Sequence, residues 1–384
     1  MNPIYLDYAA TTPVAPKVAE AMAQCLTEEG NFANPASRSH VYGWRAEEAV
    51  EAARGQVAAL INADAREIVW TSGATESNNL ALKGLCRPGD HLIVSSIEHK
   101  AVLDVALWLK EQGIEVDFVE PTAAGTILPE RIEALLKPNT RLVSVMWVNN
   151  ELGTVNPIAD ISALCQKAGV LLHVDAAQAL GKLPIDLDAL KVDALSLSAH
   201  KCYGPKGIGA LYVKRSPNIA VQAQIHGGGH ERGMRSGTLP THQCVGFGLA
   251  CELAGQVLTE ETSRISKLRD RLWQSIRDLP GVRLNGEGAE RVCGHLNVAF
   301  TGIDGEVLLL SLRQLAVSTG SACTSASMSP SYVLNAIGLS AADALASIRI
   351  SLGRYTDADD IEQAAAHIRQ VVLGLQGGKQ PRRA

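Results

Sequence analysis

The feature that most constrains the fold is a regular alternation of helical and strand-like patterns between about residues 45 and 215. The strand-like runs are short, almost wholly apolar, and lack two-residue alternation. Strands of this kind are covered on both faces, which is typical of parallel sheets that lie between layers of helices. The pattern therefore predicts an α/β fold with a mainly parallel sheet, whose strands are EIVWTSG, HLIVSSIEH, EVDFVE, TRLVSVMWVNN, LLHVDAAQ, DALSLSAH and IGALYVK.

The chain changes character after about Glu252. A long charged amphipathic helix, TEETSRISKLRDRLWQSIRDL, precedes the short strand-like runs VRLNG, HLNVAFT and RIS. A chain of 384 residues, 46% of them apolar, is long enough for two cores. We predict a large domain over residues 15–255, and a smaller α+β domain formed by residues 1–14 and 256–384.

Composition excludes several classes of function. A net charge of −5 gives no basic character, so we expect no direct nucleic-acid binding. No apolar run reaches the roughly 20 residues that cross a bilayer, and the N-terminus lacks the pattern of a secretion signal. The 8 cysteines are spread singly with no CxxC pair, which argues against a metal site. We therefore expect a cytoplasmic, metal-free protein whose cysteines are mostly small buried hydrophobes.

Polar residues follow five of the apolar runs, at the point where each strand ends. Ligands of open α/β sheets collect outside the carboxyl ends of the strands. We therefore expect these polar groups to converge along one rim of the sheet. They occupy positions 72–75, 98–99, 149–151, 175–178 and 198–201.

Asp175 and Lys201 end two successive strands of this predicted sheet. A carboxylate at a buried strand end is ordinarily part of an ion pair or a helix cap, but it can also hold a protonated pyridine nitrogen. A lysine in such a place is either a surface residue or a desolvated amine able to form a Schiff base. Together the two residues fit the opposite sides of one pyridoxal ring.

A phosphate site is predicted in TSGATESN, where a strand ends at Thr71 and a helix begins at about Thr75. Backbone N–H groups and the helix dipole at such a start attract an anion. An ordinary N-cap made by the Thr75 hydroxyl explains the same residues equally well. Ser198 and His200, beside Lys201, are candidates for further phosphate donors.

The chain resembles the cysteine desulfurases of the NifS/IscS type, which are fold-type I pyridoxal-phosphate (PLP) enzymes of the class V aminotransferase family. The resemblance extends from residues 5–13 to residues 347–356, essentially the whole chain. It implies a large domain with a mainly parallel seven-stranded sheet flanked by helices, and a smaller α+β domain. The motifs that carry it are SGATES, IEHKAV, NNELGT, HVDAAQ, SAHK, GGGHERGMRSGT and SGSACTSAS.

The resemblance implies specific contacts to the cofactor. Lys201 would carry PLP as a Schiff base, Asp175 would contact the pyridine nitrogen, and Gln178 with Asn150 would hydrogen-bond the phenolic oxygen. Thr238 would reach the phosphate from a second subunit, which implies an obligate homodimer. The other implied phosphate contacts come from Ala74, Thr75, Ser198 and His200.

The resemblance also implies roles toward the substrate. Arg349 would clamp the carboxylate of L-cysteine as a guanidinium fork, with Asn150 beside it. His99 would stack over the ring and move protons, for which an imidazole is well suited near neutral pH. Without the resemblance, a core histidine and a surface ion pair are the ordinary interpretations of His99 and Arg349.

Cys323 lies in STGSACTSAS, a stretch of small and polar residues that no core requires. A structural cysteine usually has apolar neighbours, so this thiol is a candidate nucleophile. The resemblance implies that Cys323 attacks the sulfur of L-cysteine, forms a persulfide, and leaves L-alanine as the other product. The persulfide would then pass to a protein sulfur acceptor.

Two alternatives stay open from the residues alone. One is another fold-type I PLP enzyme, such as a selenocysteine lyase or an aminotransferase, and the other is a non-enzymatic sulfur-relay scaffold. The acceptor also stays open among iron–sulfur cluster assembly, tRNA thiolation and DNA sulfur modification. The short basic ending VVLGLQGGKQPRRA differs from the long tail common in family members that serve an iron–sulfur scaffold.

Overall fold

The computed structural model describes residues 2–319 and 329–377. In these ranges the strands are β1 (Ile4–Tyr5), β2 (Ile68–Thr71), β3 (His91–Ser95), β4 (Glu115–Val119), β5 (Thr140–Ser144), β6 (Leu171–Asp175), β7 (Ala194–Ser198), β8 (Gly209–Val213), β9 (Val282–Leu284), β10 (His295–Phe300), β11 (Leu315–Ala316) and β12 (Ser347–Ser351). The helices are α1 (Pro16–Ala23), α2 (Val41–Leu60), α3 (Ala74–Leu85), α4 (Lys100–Glu111), α5 (Pro129–Glu133), α6 (Ile158–Ala168), α7 (Thr241–Ile276), α8 (Gly305–Ser311), α9 (Tyr332–Ala336), α10 (Ala341–Leu345) and α11 (Ala358–Gly377).

The large sheet has seven strands in the order β2-β8-β7-β6-β5-β3-β4. Strands β3 to β7 pair in parallel, which confirms the predicted mainly parallel sheet. Strand β8 is the exception, because it pairs antiparallel with both β7 and β2. The connection from β7 to β8 covers only residues 199–208, too few for the crossover that a parallel neighbour requires.

Both faces of this sheet are covered by helices, which explains the missing alternation in its strands. In β3, Ile93 belongs to one apolar core, while its neighbours Leu92 and Val94 belong to another. Helices α3 and α4 contribute to the core of Leu92, and α2, α6 and the start of α7 contribute to the core of Ile93. Every position of β3 is therefore buried on one face or the other.

A third core lies between the antiparallel sheet β12-β10-β9, the parallel pair β1-β11, and α8 and α11. Leu6 from the N-terminus packs in this core. The predicted domain boundary at residue 255 falls inside the continuous helix α7, which has 36 residues. The start of α7, up to Ala254, packs on the core of the large sheet, and from Ile265 onward the helix packs on this third core. In the described ranges, no helix is both long and apolar enough to cross a membrane.

Candidate active site

A cavity of about 560 Å³ opens at the carboxyl ends of the parallel strands. Strands β6 and β7 are neighbours in register, with Asp175 opposite Ser196, so the ends that carry Asp175 and Lys201 lie at the same edge. The structure therefore brings together the polar groups that were expected to converge there. The sequence-predicted residues that line the cavity are Ala74, Thr75, His99, Asn150, Asp175, Gln178, Ser198, His200, Lys201 and Arg349.

Asp175 is the last residue of β6 and only 5% exposed. Its Oδ2 accepts a hydrogen bond from Asn78 Nδ2 at 2.8 Å, and its Oδ1 accepts one from the backbone N–H of Ala177 at 2.9 Å. Two donors thus hold a buried carboxylate in place at the cavity wall. Asn78 was not among the predicted residues, although it lies in the TSGATESN motif on the first turns of α3.

Lys201 ends a short 3-10 turn, Ala199–Lys201, directly after β7. Its Nζ donates to the backbone carbonyl oxygens of Ala9 at 2.7 Å and Ala10 at 2.6 Å. Both alanines lie in YLDYAATTP, residues 5–13, where the family resemblance begins, and both line the same cavity. The N-terminal segment therefore holds the lysine amine at the cavity, more than 190 residues away along the chain.

The start of α3 forms one end of the cavity. Its N-cap is Gly73, which makes no side-chain capping bond, so the predicted alternative of a Thr75 hydroxyl cap is wrong. Gly73 has a φ of 151°, a conformation that favours glycine. A Cβ on the adjacent Gly209 would lie 2.6 Å from the Gly73 Cα, so β8 can approach this loop only with glycine. The backbone donors of the first turn are thus suited to an anion.

His200 lies beside this helix start, where its Nδ1 is 3.1 Å from Thr11 Oγ1. Burial, with the nearby positive charge of Lys201, lowers the pKa of His200 to about 4. The imidazole is therefore neutral at physiological pH and can offer one N–H donor while its other nitrogen accepts. A neutral donor at this place is compatible with binding one phosphate oxygen.

His99 is the N-cap residue of α4 and is half-buried at the cavity. Its Nδ1 accepts a hydrogen bond from the backbone N–H of Ala101 at 3.1 Å. In the neutral ring this contact places the proton on Nε2. The helix start thus fixes the tautomer that can donate a proton from Nε2.

Arg349 lies in the middle of β12 and is 6% exposed. Its Nη2 forms an ion pair with Asp7 Oδ1 at 2.8 Å, and its Nη1 donates to the carbonyl oxygen of Asn150 at 3.0 Å. Within the described residues, the buried Nε of Arg349 and the buried Oδ1 of Asn150 have no hydrogen-bond partner. Two residues that line the cavity thus each keep a buried polar atom without a partner in the described residues, an arrangement that favours a bound polar molecule. Asp7 was not predicted, although YLDYAATTP contains it.

Glu151 belongs to the polar positions 149–151 that were expected at this rim, although no role was predicted for it, and it is 2% exposed. Its Oε2 accepts a hydrogen bond from Ser331 Oγ at 2.5 Å. Burial raises the pKa of Glu151 to about 7, although the Ser331 bond and the charges of Arg349 and His99 act in the opposite direction. The glutamate follows Asn150 in NNELGT, which was the only sequence signal for it.

We expect the substitution Glu151→Gln to flatten the pH dependence of stability. The folded protein holds the proton of Glu151 up to about pH 7, whereas the ordinary value is 4.5, so the wild type loses stability as the pH rises through this window. The loss corresponds to about 3 kcal/mol. Denaturant unfolding at pH 5 and pH 8 measures it. The exposed control Glu111→Gln should keep the wild-type slope, and an equal slope in Glu151→Gln would contradict the prediction.

Thr238 is exposed and does not line the cavity of its own chain. Its segment is held by two ion pairs, a buried one between Glu231 and Arg54 at 2.7 Å and one between Arg235 and Glu76 at 2.8 Å. Glu76 also accepts a hydrogen bond from the backbone N–H of Ser72 at 2.7 Å, next to the start of α3. The segment is thus attached to the start of α3 and to α2, while Thr238 itself stays outside the lining of this cavity.

Cys323 lies outside the described residues. The seven cysteines in the described ranges are free and buried, as predicted for most of the cysteines. Burial raises the pKa of every one of these thiols, for example to about 12 for Cys165 and Cys244. None of the seven is therefore a thiolate near neutral pH. Within the described ranges, no group of three or more His, Cys, Asp or Glu side chains is placed to hold a metal ion.

Comparison with known proteins agrees with this geometry. The sequence profile of the aminotransferase class-V family matches residues 4–364. The cysteine desulfurase IscS of Shewanella baltica (strain OS185) is 57% identical over 374 residues, which cover 96% of this chain and 93% of that protein. The cysteine desulfurase IscS of Acinetobacter baumannii (strain AYE) is 60% identical over 366 residues, covering 94% of this chain and 90% of that protein.

Solved structures give the same result. A NifS-like protein superposes with a TM-score of 0.89 at 35% identity, covering 97% of this chain and 100% of that chain. SspA in complex with cysteine gives a TM-score of 0.82 at 42% identity, covering 92% and 99% of the two chains. DndA from Streptomyces lividans gives 0.78 at 38% identity, covering 91% and 99%. The chain belongs to the aminotransferase class-V family and, within it, to the cysteine desulfurases.

Proposed function

We propose that the protein is a PLP-dependent desulfurase that converts L-cysteine to L-alanine and keeps the sulfur as a persulfide on Cys323. The observation that carries this proposal is the placement of Asp175 and Lys201 on adjacent parallel strand ends, in the wall of one cavity. Arg349 in the same wall adds a site for an amino-acid carboxylate. The desulfurase names of the relatives that are 57–60% identical support the reaction.

The residues of the cavity fit PLP. The uncapped start of α3, with Thr75, Ser198 and His200, would hold the phosphate, and Asp175 would pair with the pyridine nitrogen. Lys201 Nζ would bind the aldehyde carbon, and Gln178 with Asn150 would reach the phenolic oxygen. When bound, PLP supplies an electron sink that stabilises negative charge at the Cα of the amino acid.

Arg349 would bind the carboxylate of the substrate. Its Nη atoms are held by Asp7 and by the carbonyl of Asn150, while its Nε has no partner in the described residues. Such a guanidinium is already oriented before the substrate arrives, which reduces the entropy lost on binding. A carboxylate would compete with Asp7 for the guanidinium, and Asn150 lies beside the fork through its backbone carbonyl.

Two residues of the cavity would move protons. Lys201 Nζ, once released from the cofactor, would take the proton from the substrate Cα. His99 would transfer a proton from Nε2, since its Nδ1 is occupied by the backbone of Ala101. Each group can act in this way because its position is set by backbone contacts.

Cys323 would be the nucleophile that receives the sulfur. Its thiolate attacks the sulfur of L-cysteine, so that an S–S bond forms and the C–S bond breaks. The electron pair of the broken bond stays with the carbon side, which is protonated to L-alanine. The seven described cysteines are buried thiols with raised pKa values, and this leaves Cys323 as the candidate.

A homodimer is part of the proposal. Thr238 is exposed and outside the cavity of its own chain, so it would serve the cavity of a second subunit. An exposed aromatic patch supports a subunit contact: Phe32, Tyr42 and Trp44 are each more than half exposed, and the rings of Phe32 and Tyr42 lie 5.9 Å apart. Patches of this kind commonly mark protein interfaces.

The acceptor of the persulfide is proposed by class only, as a protein of sulfur metabolism. The IscS relatives and DndA, whose structure superposes on this chain, are compatible with iron–sulfur cluster assembly, tRNA thiolation or DNA sulfur modification. We also propose that the protein works in the cytoplasm, because its seven described cysteines are free thiols.

The experiment that tests the function measures products from L-cysteine with a thiol reductant. We expect equal amounts of L-alanine and sulfide. A selenocysteine lyase would leave L-cysteine unchanged and act on selenocysteine, and an aminotransferase would produce alanine only from pyruvate and an amino donor. Either of these outcomes would refute the proposed reaction.

Replacing Asp175 with alanine should weaken PLP binding by about 2–5 kcal/mol, the usual cost of leaving a buried charge without its partner. The effect is expected as a dissociation constant raised roughly 30-fold to several thousand-fold. Titration of the apoprotein with PLP measures it. The exposed control Asp188→Ala should bind PLP like the wild type, and the same affinity in Asp175→Ala would contradict the assigned contact.

A further inference from the structure

Lys182 lies close to the candidate active site, four residues after Gln178. Residues 176–183 form successive helical turns, in which the backbone N–H of Lys182 donates to the carbonyl of Ala179 at 2.9 Å. Side chains four residues apart in such turns lie on the same face. Lys182 Nζ accordingly donates to Oε1 of Gln178 at 2.6 Å.

This contact decides the orientation of the Gln178 amide. The Nε2 end donates to the carbonyl oxygen of Ala9 at 2.8 Å, while the Oε1 end accepts from Lys182. A lysine ammonium can only donate and a backbone carbonyl can only accept. Turning the amide around would place two donors together at Lys182 and two acceptors together at Ala9. Since Ala9 and Gln178 both line the large cavity, the N–H end of the amide is presented on that side.

The surroundings of Lys182 indicate that this hydrogen bond is its main interaction. In residues 2–319 and 329–377 no carboxylate forms an ion pair with it, and Glu261, which lines the same small cavity of about 20 Å³, pairs instead with Arg354 at 2.9 Å. Burial lowers the pKa of Lys182 to about 8. A lysine is thus kept where its charge is disfavoured, and its amine is directed at one amide oxygen.

We propose that Lys182 is a positioning residue that fixes the Gln178 amide with its N–H end toward the phenolic oxygen of bound PLP. This inference rests on the proposed function, because that function assigns Gln178 to the cofactor. Lys182 lines the small cavity but not the large one, whereas Lys201 lines both. Lys182 therefore acts through Gln178 and without contact to the cofactor.

The test compares Lys182→Met with Lys182→Arg in the holoenzyme. Methionine keeps an unbranched apolar chain of nearly the same reach as the lysine methylenes and removes the donor, so the amide of Gln178 loses its orientation. We expect Lys182→Met to keep the absorbance of the Schiff base, since Lys201 is intact, and to bind PLP about tenfold more weakly. The midpoint of the pH titration of the Schiff-base absorbance should also differ from that of the wild type. Arginine keeps a donor and should restore most of the affinity.

A double-mutant cycle shows whether Lys182 acts through Gln178. In a Gln178→Ala background, Lys182→Met should have no further effect on PLP affinity or on the absorbance band. An equal effect of Lys182→Met in both backgrounds would overturn the inference. So would a Lys182→Met protein that binds PLP like Lys191→Met, the control at an exposed lysine.

Two other outcomes are separated by the same measurements. If Lys182→Met does not fold, Lys182→Gln enters the cycle in its place, since its side chain is neutral and one bond too short to make the contact. A wild-type protein without any Schiff-base absorbance would refute the proposed function itself. If the wild type shows the band, and Lys182→Met binds PLP with the same affinity and the same pH dependence of the band, only the positioning role is refuted.

Discussion

The substitution Lys201→Ala is expected to abolish the absorbance of roughly 390–420 nm that a PLP Schiff base produces. Lys201 Nζ is held at the cavity by the carbonyl oxygens of Ala9 and Ala10, on the strand end next to Asp175. The methyl group of alanine has no amine to react with the aldehyde of PLP, so the covalent attachment of PLP and the turnover of L-cysteine should both be lost. Absorbance spectra of the purified protein, with and without added PLP, measure the first effect.

Lys206 supplies the discriminating comparison, because it is the other lysine that lines the cavity in the described part of the chain. It is exposed, whereas Lys201 is half-buried. A desolvated amine is more readily deprotonated and hence more reactive toward an aldehyde. Lys206→Ala should therefore keep the band. If the band survives in Lys201→Ala and disappears in Lys206→Ala, the Schiff base must be assigned to Lys206 instead.

The substitution Cys323→Ala should leave the PLP band intact and reduce sulfide release by about two orders of magnitude or more. The cofactor contacts proposed above do not involve Cys323, so binding of PLP and of L-cysteine should continue. The seven cysteines in the described ranges are buried, so they are not expected to take the substrate sulfur in its place. Sulfide release from L-cysteine, together with mass spectrometry of the protein for an added sulfur atom, measures the loss.

A buried cysteine provides the matched control for this substitution. Cys165 is 2% exposed and burial raises its pKa to about 12, so Cys165→Ala should release sulfide like the wild type apart from a small loss of stability. Undiminished sulfide release by Cys323→Ala would rule out the proposed nucleophile. A persulfide found on another cysteine would have the same consequence.

The strand ends of the site could be predicted because their signal is local. Asp175 is the last residue of the five-residue strand β6, and Lys201 comes three residues after the end of the five-residue strand β7. The direction of β8 was not predicted. Its apolar run looks like those of the parallel strands, and only the short connection over residues 199–208 makes it return antiparallel.

The contacts that orient the site could not be predicted from spacing. Asp7 and Arg349 are separated by 342 residues, and each also has an ordinary interpretation as a surface charge. Gln178 and Lys182 are four residues apart, as in one helical turn. The stretch around them, AAQALGKLP, is too short to predict a helix, so their contact could not be predicted either. No role was predicted for Glu151, because its hydrogen-bond partner Ser331 comes from a distant part of the chain.

The amino-acid sequence by itself determined the α/β class, the strands that end in polar residues, and the types of chemistry available at those ends. This is possible because hydrophobic periodicity and side-chain chemistry are properties of neighbouring residues. The tertiary structure alone decided that Asp7 holds Arg349, that the carbonyl oxygens of Ala9 and Ala10 hold Lys201, and that Gln178 has one orientation. The contacts of Asp7, Ala9 and Ala10 join distant segments, among them the bond from Gln178 to Ala9. They exist only after the cores have packed and brought the N-terminal segment onto the sheet edge.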